Sequence, residues 1–210
     1  MPGFNFLFEA FILLMGLAMA EVLRGFARVL KLRARRKAGI DPGMERIHIG
    51  WLTPLLGLLV IVDQSTFFLH MYGYRDLMPF NGGTVLGILL AFGWYYLVAS
   101  MTFPDEPDDW PDFDVWFWQQ KRFVVGGVLG VNVLGTIATM VFVTAEKQQE
   151  IAASLTPQQA IASMVAMLSI IPMIWLFFSK SKRVCLTLLW LYIGLTVGYG
   201  MIVFTTVHPG

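Results

Sequence analysis

Charged side chains are scarce in this chain of 210 residues, and cysteine is almost absent. Asp, Glu, Lys and Arg together make up 14% of the residues, whereas about 25% is usual for a soluble domain. The one cysteine, Cys185, lies within an apolar run, which excludes an internal disulfide and a cysteine-based metal cluster. The net charge of +1 provides no basic field for nucleic acid. A soluble domain and a nucleic-acid-binding protein are therefore both excluded.

Short motifs of familiar enzymes are also missing. The sequence contains no HExxH zinc motif, no P-loop, no glycine fingerprint for a dinucleotide and no nucleophile elbow. The three histidines are spaced in a way that predicts no haem. We therefore expect neither a cofactor nor a metal. An integral-membrane enzyme stays open as a third hypothesis, because scattered polar residues can act on lipid-embedded substrates without leaving a short motif.

Apolar sequence, in contrast, is abundant. Hydrophobic residues make up 57% of the chain, and the mean hydropathy is +0.66. They form runs of about 20 residues, the length that a helix needs to cross a hydrocarbon core of roughly 30 Å. The runs are continuous, not alternating, which is typical of membrane helices. The sequence thus predicts an all-α bundle of six transmembrane helices, near 4–24, 48–71, 83–103, 122–144, 158–179 and 184–207.

The distribution of basic residues predicts the orientation of this bundle. Of the 15 Lys and Arg residues, 13 lie in the three segments 24–46, 121–122 and 180–183, which follow the first span, precede the fourth and separate the last two. If the spans alternate in direction, all three segments fall on one side. The positive-inside rule places that side in the cytoplasm, with both termini outside. Because no Lys or Arg precedes the first run, we interpret it as a retained span and not a secretory signal.

Two segments of opposite charge flank the membrane on the predicted cytoplasmic side. The first helix is predicted to continue as a basic extension over 24–38, and an acidic loop follows over 104–115. Basic residues near a membrane surface gain about 1 kcal/mol each from anionic lipid headgroups. The acidic loop is expected to face the basic helix, within one chain or on a partner. The residues assigned to this interaction or lipid surface are Arg28, Arg35, Arg36, Asp105, Asp108 and Asp109.

Two acidic residues inside the predicted spans are the main candidates for function. Glu9 lies in the first span and Asp63 in the second, at similar depth in the outer half, and neither has a basic residue within one helical turn. A charge at the bilayer centre costs about 3 kcal/mol even on a lenient insertion scale. If the two carboxyls face each other, they could share or relay a proton, or bind a cation. Alternatively, each is protonated or makes only a polar contact between helices.

Other polar residues extend this predicted ion or proton pathway. Thr66 and His70 follow Asp63 at i+3 and i+7, on the same helical face. Asn132, in the fourth span, could line the same cavity. Polar contacts between membrane helices are common and modest in energy, so these residues also have a purely structural interpretation.

Glycines at four-residue spacing predict close helix packing. Gly126 and Gly130 lie in the fourth span, and Gly194 and Gly198 lie in the sixth. Small residues at this spacing allow two helix backbones to approach closely within a membrane.

Two functions follow from these patterns. The first is a small channel or transporter for protons or monovalent cations that uses the intramembrane carboxylates. The second is a non-catalytic accessory or assembly subunit of a larger membrane complex, which would bind its partner through the glycine faces and charged loops. We favour the first, since carboxyls without evident partners are costly to keep for packing alone. Both interpretations predict a multi-pass protein, placed in a bacterial inner membrane, that is a homo-oligomer or a subunit of a complex.

Overall fold

The computed structural model describes residues 2–39, 48–74, 77, 79, 81–106, 110 and 112–207, and for residues 2–10 and 204–207 it describes the backbone alone. The described part of the chain is all-α. Its seven helices are α1 (Pro2–Ala38), α2 (Leu52–Gly73), α3 (Gly82–Ser100), α4 (Phe113–Phe142), α5 (Ala145–Ser154), α6 (Pro157–Phe178) and α7 (Lys182–Val207).

Five of these helices, namely α2, α3, α4, α6 and α7, are long and apolar enough to cross a membrane. Their outward faces carry large apolar side chains such as Leu90, Met167 and Trp175, each at least 60% exposed. Apolar surface on this scale suits a multi-pass membrane protein, where lipid and not water covers it. The remaining predicted span, near 4–24, falls in α1. The count of six spans and the orientation of the termini stay predictions.

The largest difference from the predicted boundaries lies at the start of α4. This helix begins at Phe113, whereas the span was predicted to start near 122. The Asp112 carboxylate accepts a hydrogen bond of 2.7 Å from the Asp114 backbone N–H, which caps the helix well before the apolar run begins. The short helix α5 was not predicted either, because it is polar and begins at its own cap, Thr144.

Helix α1 continues through the basic segment without a break. It ends at Gly39, whose φ of 63° suits the left-handed residue that terminates many helices. Val29 and Leu32 are buried along one face of this extension, and Val22, two turns before Val29, is buried on the same face of α1. The guanidinium of Arg33 lies over the ring of Trp51, 4.8 Å from its centroid, and so holds the basic segment against the start of α2.

Helix α2 is the centre of the bundle, in contact with α1, α3, α4 and α7. One polar contact joins the first turn of α2 to the start of α4, and a second joins the start of α4 to the start of α7. The Thr53 hydroxyl donates to the Phe113 carbonyl over 2.7 Å, and Lys182 forms an ion pair with Asp114. The three helices α2, α4 and α7 therefore begin at the same end of the bundle and run in the same direction.

Phe103, just after α3, fills a notch between α1 and α2. Its ring lies 5.1 Å from that of Phe26 in an edge-to-face contact. A Cβ atom at Gly25 or Gly57 would come within 2.2 or 2.6 Å of the Phe103 ring. Glycine is thus needed on both neighbouring helices for the ring to fit.

We expect Gly57→Ala to destabilise the bundle, because the new methyl group overlaps the buried Phe103 ring and overpacking of this kind costs about 1–3 kcal/mol. Gly87→Ala is the matched control, since a Cβ there meets no described atom within 4 Å. The measurement is the midpoint of thermal unfolding in detergent. Equal midpoints for the two variants would contradict the role of Phe103 as a wedge.

Candidate functional site

The carboxyl group of Asp63 lies at the centre of the bundle, where four helices meet. Asp63 belongs to α2 and is 2% exposed. The Tyr95 hydroxyl of α3 donates to its Oδ2 over 2.6 Å, and the Tyr192 hydroxyl of α7 donates to its Oδ1. The side-chain amide of Asn132, on α4, lies 3.0 and 3.2 Å from the two oxygens. One carboxyl therefore joins α2 to three other helices.

Local contacts hold these three partners in position. The Asn132 amide also donates to the Val128 carbonyl, one turn earlier in α4, over 3.0 Å. The ring of Tyr95 packs against Phe67 with their centroids 5.2 Å apart. Tyr192 is buried in the main apolar core. The hydroxyl and amide groups that contact Asp63 thus belong to side chains that are held in place by packing or by a hydrogen bond.

The partners of Asp63 are all hydrogen-bond donors, which suits an ionised carboxylate. A tyrosine hydroxyl can also accept a hydrogen bond from the O–H of a neutral carboxyl group, so this arrangement accommodates both states of Asp63. Among the described residues, no Lys, Arg or His forms an ion pair with it. The site can therefore gain or lose a proton without breaking an internal salt bridge.

Polar side chains lie on one side of Asp63, toward the C-terminal ends of α2, α4 and α7. The four threonine hydroxyls in this group donate to carbonyls of their own helices. His70 packs its ring 5.0 Å from that of Tyr74. The polar residues of this side are Thr66, His70, Thr136, Thr139, Thr196 and Tyr199.

The opposite side of Asp63 is apolar and closed. Toward the N-terminal ends of the same three helices, the side chains are buried and pack in a single cluster. This apolar seal consists of Leu52, Leu55, Leu56 and Leu59 of α2, Val124, Val125 and Val128 of α4, and Cys185, Leu188 and Leu189 of α7. A second buried apolar cluster, which includes Phe67, Met71 and Phe92, lies on the other side of Asp63 beside the threonines. Apolar side chains therefore pack on both sides of the carboxyl, but the threonines and His70 lie on one side only.

The predicted pathway residues differ in how closely they approach Asp63. Asn132 contacts Asp63 directly, although the two are 69 residues apart. Thr66 lies beside Asp63 but bonds to its own helix, and His70 lies near the end of α2. Glu9 is in α1, and its side chain lies outside the described residues, so its position relative to Asp63 stays a prediction.

Two functional candidates, Tyr95 and Tyr192, were missed in the sequence analysis. Each lies within an apolar run that was counted as membrane span. A signal was available, because tyrosine in such a run must bury a hydroxyl that needs a hydrogen-bond partner. Asp63 and Asn132, already singled out in neighbouring spans, were candidate partners at that depth.

The predicted charged surface makes an internal contact at Arg28. The Arg28 guanidinium donates to the Pro104 and Asp105 carbonyls over 3.3 and 2.9 Å, and it lies 3.5 Å from the Asp105 carboxylate. The basic helix therefore meets the start of the acidic loop within one chain. Arg35 and Arg36 are exposed near the end of α1. Asp108 and Asp109 lie outside the described residues.

The four predicted packing glycines have different surroundings. A Cβ at Gly126 would lie 3.0 Å from the Phe177 ring of α6, so α4 and α6 approach closely there. At Gly130, Gly194 and Gly198, a Cβ would meet no described atom within 4 Å. These three positions are open to a lipid or to another protein.

Gln64, next to Asp63, is fully buried with no partner for its side-chain amide among the described residues. It lies two turns along α2 from Gly57 and thus on the same face, which Phe26 of α1 and Phe103 cover. The amide therefore faces the α1 side of the bundle.

Comparison with known proteins adds no further information about this site. No protein-family model, no curated protein and no solved structure matches the chain. The function is therefore argued from the chemistry of the residues.

We expect Gln64→Met to stabilise the protein, since a buried polar group without a partner costs about 1–3 kcal/mol and methionine has a similar shape. Asn132→Leu is the opposite case, because it removes an amide that is bonded to Asp63, and its unfolding midpoint should fall. Both midpoints are read by thermal unfolding in detergent. A fall for Gln64→Met would show that its amide is bound to a group outside the described contacts.

Proposed function

We propose that this protein is a small membrane transporter or channel for protons or monovalent cations, with Asp63 as the ion-binding group. The observation that carries the proposal is the environment of this carboxyl. It is buried in a helix apolar enough to span a membrane, it has donors from three other helices, and no described basic side chain neutralises it. Intramembrane acids of this kind typically mark proton relays and ion pathways.

The one-sided distribution of polar residues supports an ion that reaches Asp63 from one end only. Polar side chains lie toward the C-terminal ends of α2, α4 and α7, and the apolar seal closes the other end. Passage across the membrane then requires the seal to open. This arrangement favours a gated or alternating mechanism over a permanently open pore.

The chemistry of the partners favours a proton over a metal cation. Tyr95 and Tyr192 place hydroxyl groups directly on the carboxyl oxygens, where a proton can pass between them by short transfers. A sodium or potassium ion would require these hydroxyls and the Asn132 amide to turn their donor atoms away. A proton needs no such rearrangement.

The proposal includes the topology predicted from the sequence. Helix α1 supplies the first of six spans, both termini are outside, and the membrane is a bacterial inner membrane. The polar side of Asp63 then faces outward, and the apolar seal faces the cytoplasm. The basic end of α1, including Arg35 and Arg36, lies at the cytoplasmic surface, where anionic lipids bind it.

A second candidate function is that of an accessory subunit in a larger membrane complex or a homo-oligomer. The observation that favours it is the open face of α7, where Gly194 and Gly198 have no close neighbour in the described chain. A helix from a partner could approach this face closely. The two functions are compatible if the oligomer is the transporting unit.

We expect Asp63→Asn to abolish proton flux, because an amide cannot take up and release a proton at neutral pH. The protein is reconstituted in liposomes that contain a pH-sensitive dye, and a potassium diffusion potential drives the flux. The rate for the variant should fall to that of protein-free liposomes. Glu150→Gln, which removes an exposed carboxylate from α5, is the matched control and should retain the wild-type rate.

Flux through Asp63→Asn at the wild-type rate would contradict the transport function of this carboxyl. If the wild-type protein itself gives no flux for protons, sodium or potassium, the proposal that the isolated chain is a transporter is wrong. Co-purification of another protein in fixed ratio would then support the subunit function. Equal folding of both variants is checked by their gel-filtration profiles.

The topology is tested by cysteine labelling in a Cys185→Ser background. We expect Glu150→Cys to react with a membrane-impermeant maleimide in right-side-out vesicles, because α5 lies in an outer loop. Arg35→Cys should react only after the membrane is permeabilised, because the basic end of α1 lies inside. Both side chains are exposed in the structure, so the membrane alone decides access. The reverse pattern would overturn the orientation, and labelling of both from one side would overturn the six-span count.

A further inference from the structure

A second polar cluster lies at the end of the bundle where α2, α4 and α7 begin. His48 precedes α2, Asp112 caps α4, and Asp114 lies in the first turn of α4. The His48 Nδ1 atom is 3.1 Å from Asp112 Oδ1, and the backbone N–H of Phe113 donates to the His48 carbonyl over 3.0 Å. One potential ligand atom from each of the three side chains lies within 4.8 Å of the other two.

One oxygen in this cluster lacks a hydrogen-bond partner. Asp114 Oδ1 is buried, and none of the described residues donates to it. The Asp114 side chain is only 9% exposed. A Cβ at Gly50 would lie 2.0 Å from this oxygen, so the carboxylate points at the backbone of the segment that carries His48. A buried carboxylate oxygen without a donor is costly, and a bound cation is one of the few groups that can satisfy it.

Lys182 binds the other oxygen of Asp114, Oδ2. Its ammonium leaves Oδ1 free. The His48 Nδ1 atom and Asp112 Oδ1 share a hydrogen bond, so a metal ion bound to both would replace the proton between them. The Lys182 side chain is about half exposed, at 53%, and can therefore turn into solvent if a cation with a higher charge replaces it. The two carboxylates carry enough negative charge to balance one divalent ion.

We propose that His48, Asp112 and Asp114 form a binding site for a divalent transition metal of the zinc type. An imidazole nitrogen with two carboxylate oxygens suits Zn²⁺ and its neighbours, whereas Ca²⁺ and Mg²⁺ prefer oxygen ligands alone. Ligands of a tetrahedral zinc ion lie about 2.0–2.2 Å from the metal and thus about 3.3–3.6 Å from each other. The His48 and Asp112 atoms are already 3.1 Å apart. The half-exposed imidazole leaves an entry path from solution, with water as the fourth ligand.

The position of this site gives a bound metal a structural effect. Its ligands come from the segment before α2 and from the first turn of α4, and Lys182, the first residue of α7, sits on the same carboxylate. These three helices supply Asp63 and two of its three partners. A metal at this end would hold the N-terminal ends of α2 and α4 together, on the side of the apolar seal that is away from Asp63.

The test uses the full-length protein, purified without a histidine tag, and ZnCl₂ as the only added ligand. We expect titration calorimetry to show one zinc ion per chain for the wild type. His48→Gln and Asp112→Asn should each weaken binding by at least about tenfold, since even outer-shell partners of a metal ligand contribute that much. Asparagine remains a good N-cap, so Asp112→Asn keeps the start of α4 intact. Glu106→Gln, which removes an exposed carboxylate from the preceding loop, is the control and should bind zinc as the wild type does.

A second readout separates this site from zinc bound elsewhere. Co²⁺ in place of Zn²⁺ should give visible absorption bands of a low-symmetry site with nitrogen and oxygen ligands, and His48→Gln should lose them. Zinc should also raise the thermal midpoint of the wild type but not of His48→Gln, because a ligand stabilises the state that binds it. Absence of binding, or equal binding by His48→Gln and the wild type, would overturn the proposal.

Discussion

The hydrogen bonding of one buried carboxyl group organises this bundle. An acidic side chain far from water is tolerated only where other polar groups surround it, and Asp63 has hydroxyl or amide donors from α3, α4 and α7. Each of these helices is held at a defined height and rotation, since a shift of one residue would remove its donor. The central position of α2 agrees with this constraint.

The two ends of α2, α4 and α7 differ in how they are joined. Near their N-termini, the contacts are polar: the buried Thr53 hydroxyl bonds to the start of α4, and Asp114 forms an ion pair with Lys182. Between this end and Asp63, the buried side chains are apolar except for Lys121, whose ammonium donates to the Ser179 carbonyl. Beyond Asp63 the threonine hydroxyls bond to their own backbones, and a second buried apolar cluster that includes Phe67 and Phe92 packs the helices together. Polar contacts between helices are therefore found at the N-terminal end and at Asp63, whereas apolar packing joins the helices on both sides of the carboxyl.

The sequence predicted some parts of the candidate site but could not predict its assembly. Asp63 stood out because a carboxyl in an apolar run is rare, and Asn132 stood out as an amide in another such run. Tyr95 and Tyr192 did not, because a tyrosine also fits an apolar face with its hydroxyl at the membrane surface. The residues of the proposed metal site did not stand out for another reason. His48 and Asp112 are 64 residues apart in loops, and no local spacing relates them.

The sequence by itself determined the properties that depend on neighbouring residues. Runs of apolar side chains long enough to span a bilayer require helices, since each backbone must satisfy its own hydrogen bonds in lipid. Caps such as Asp112 and Thr156 set where helices begin. Only the tertiary structure decided which side chains meet: the partners of Asp63 lie 32, 69 and 129 residues away. Helix rotation and crossing depend on the packing of all the helices at once, and no periodicity within one helix contains that information.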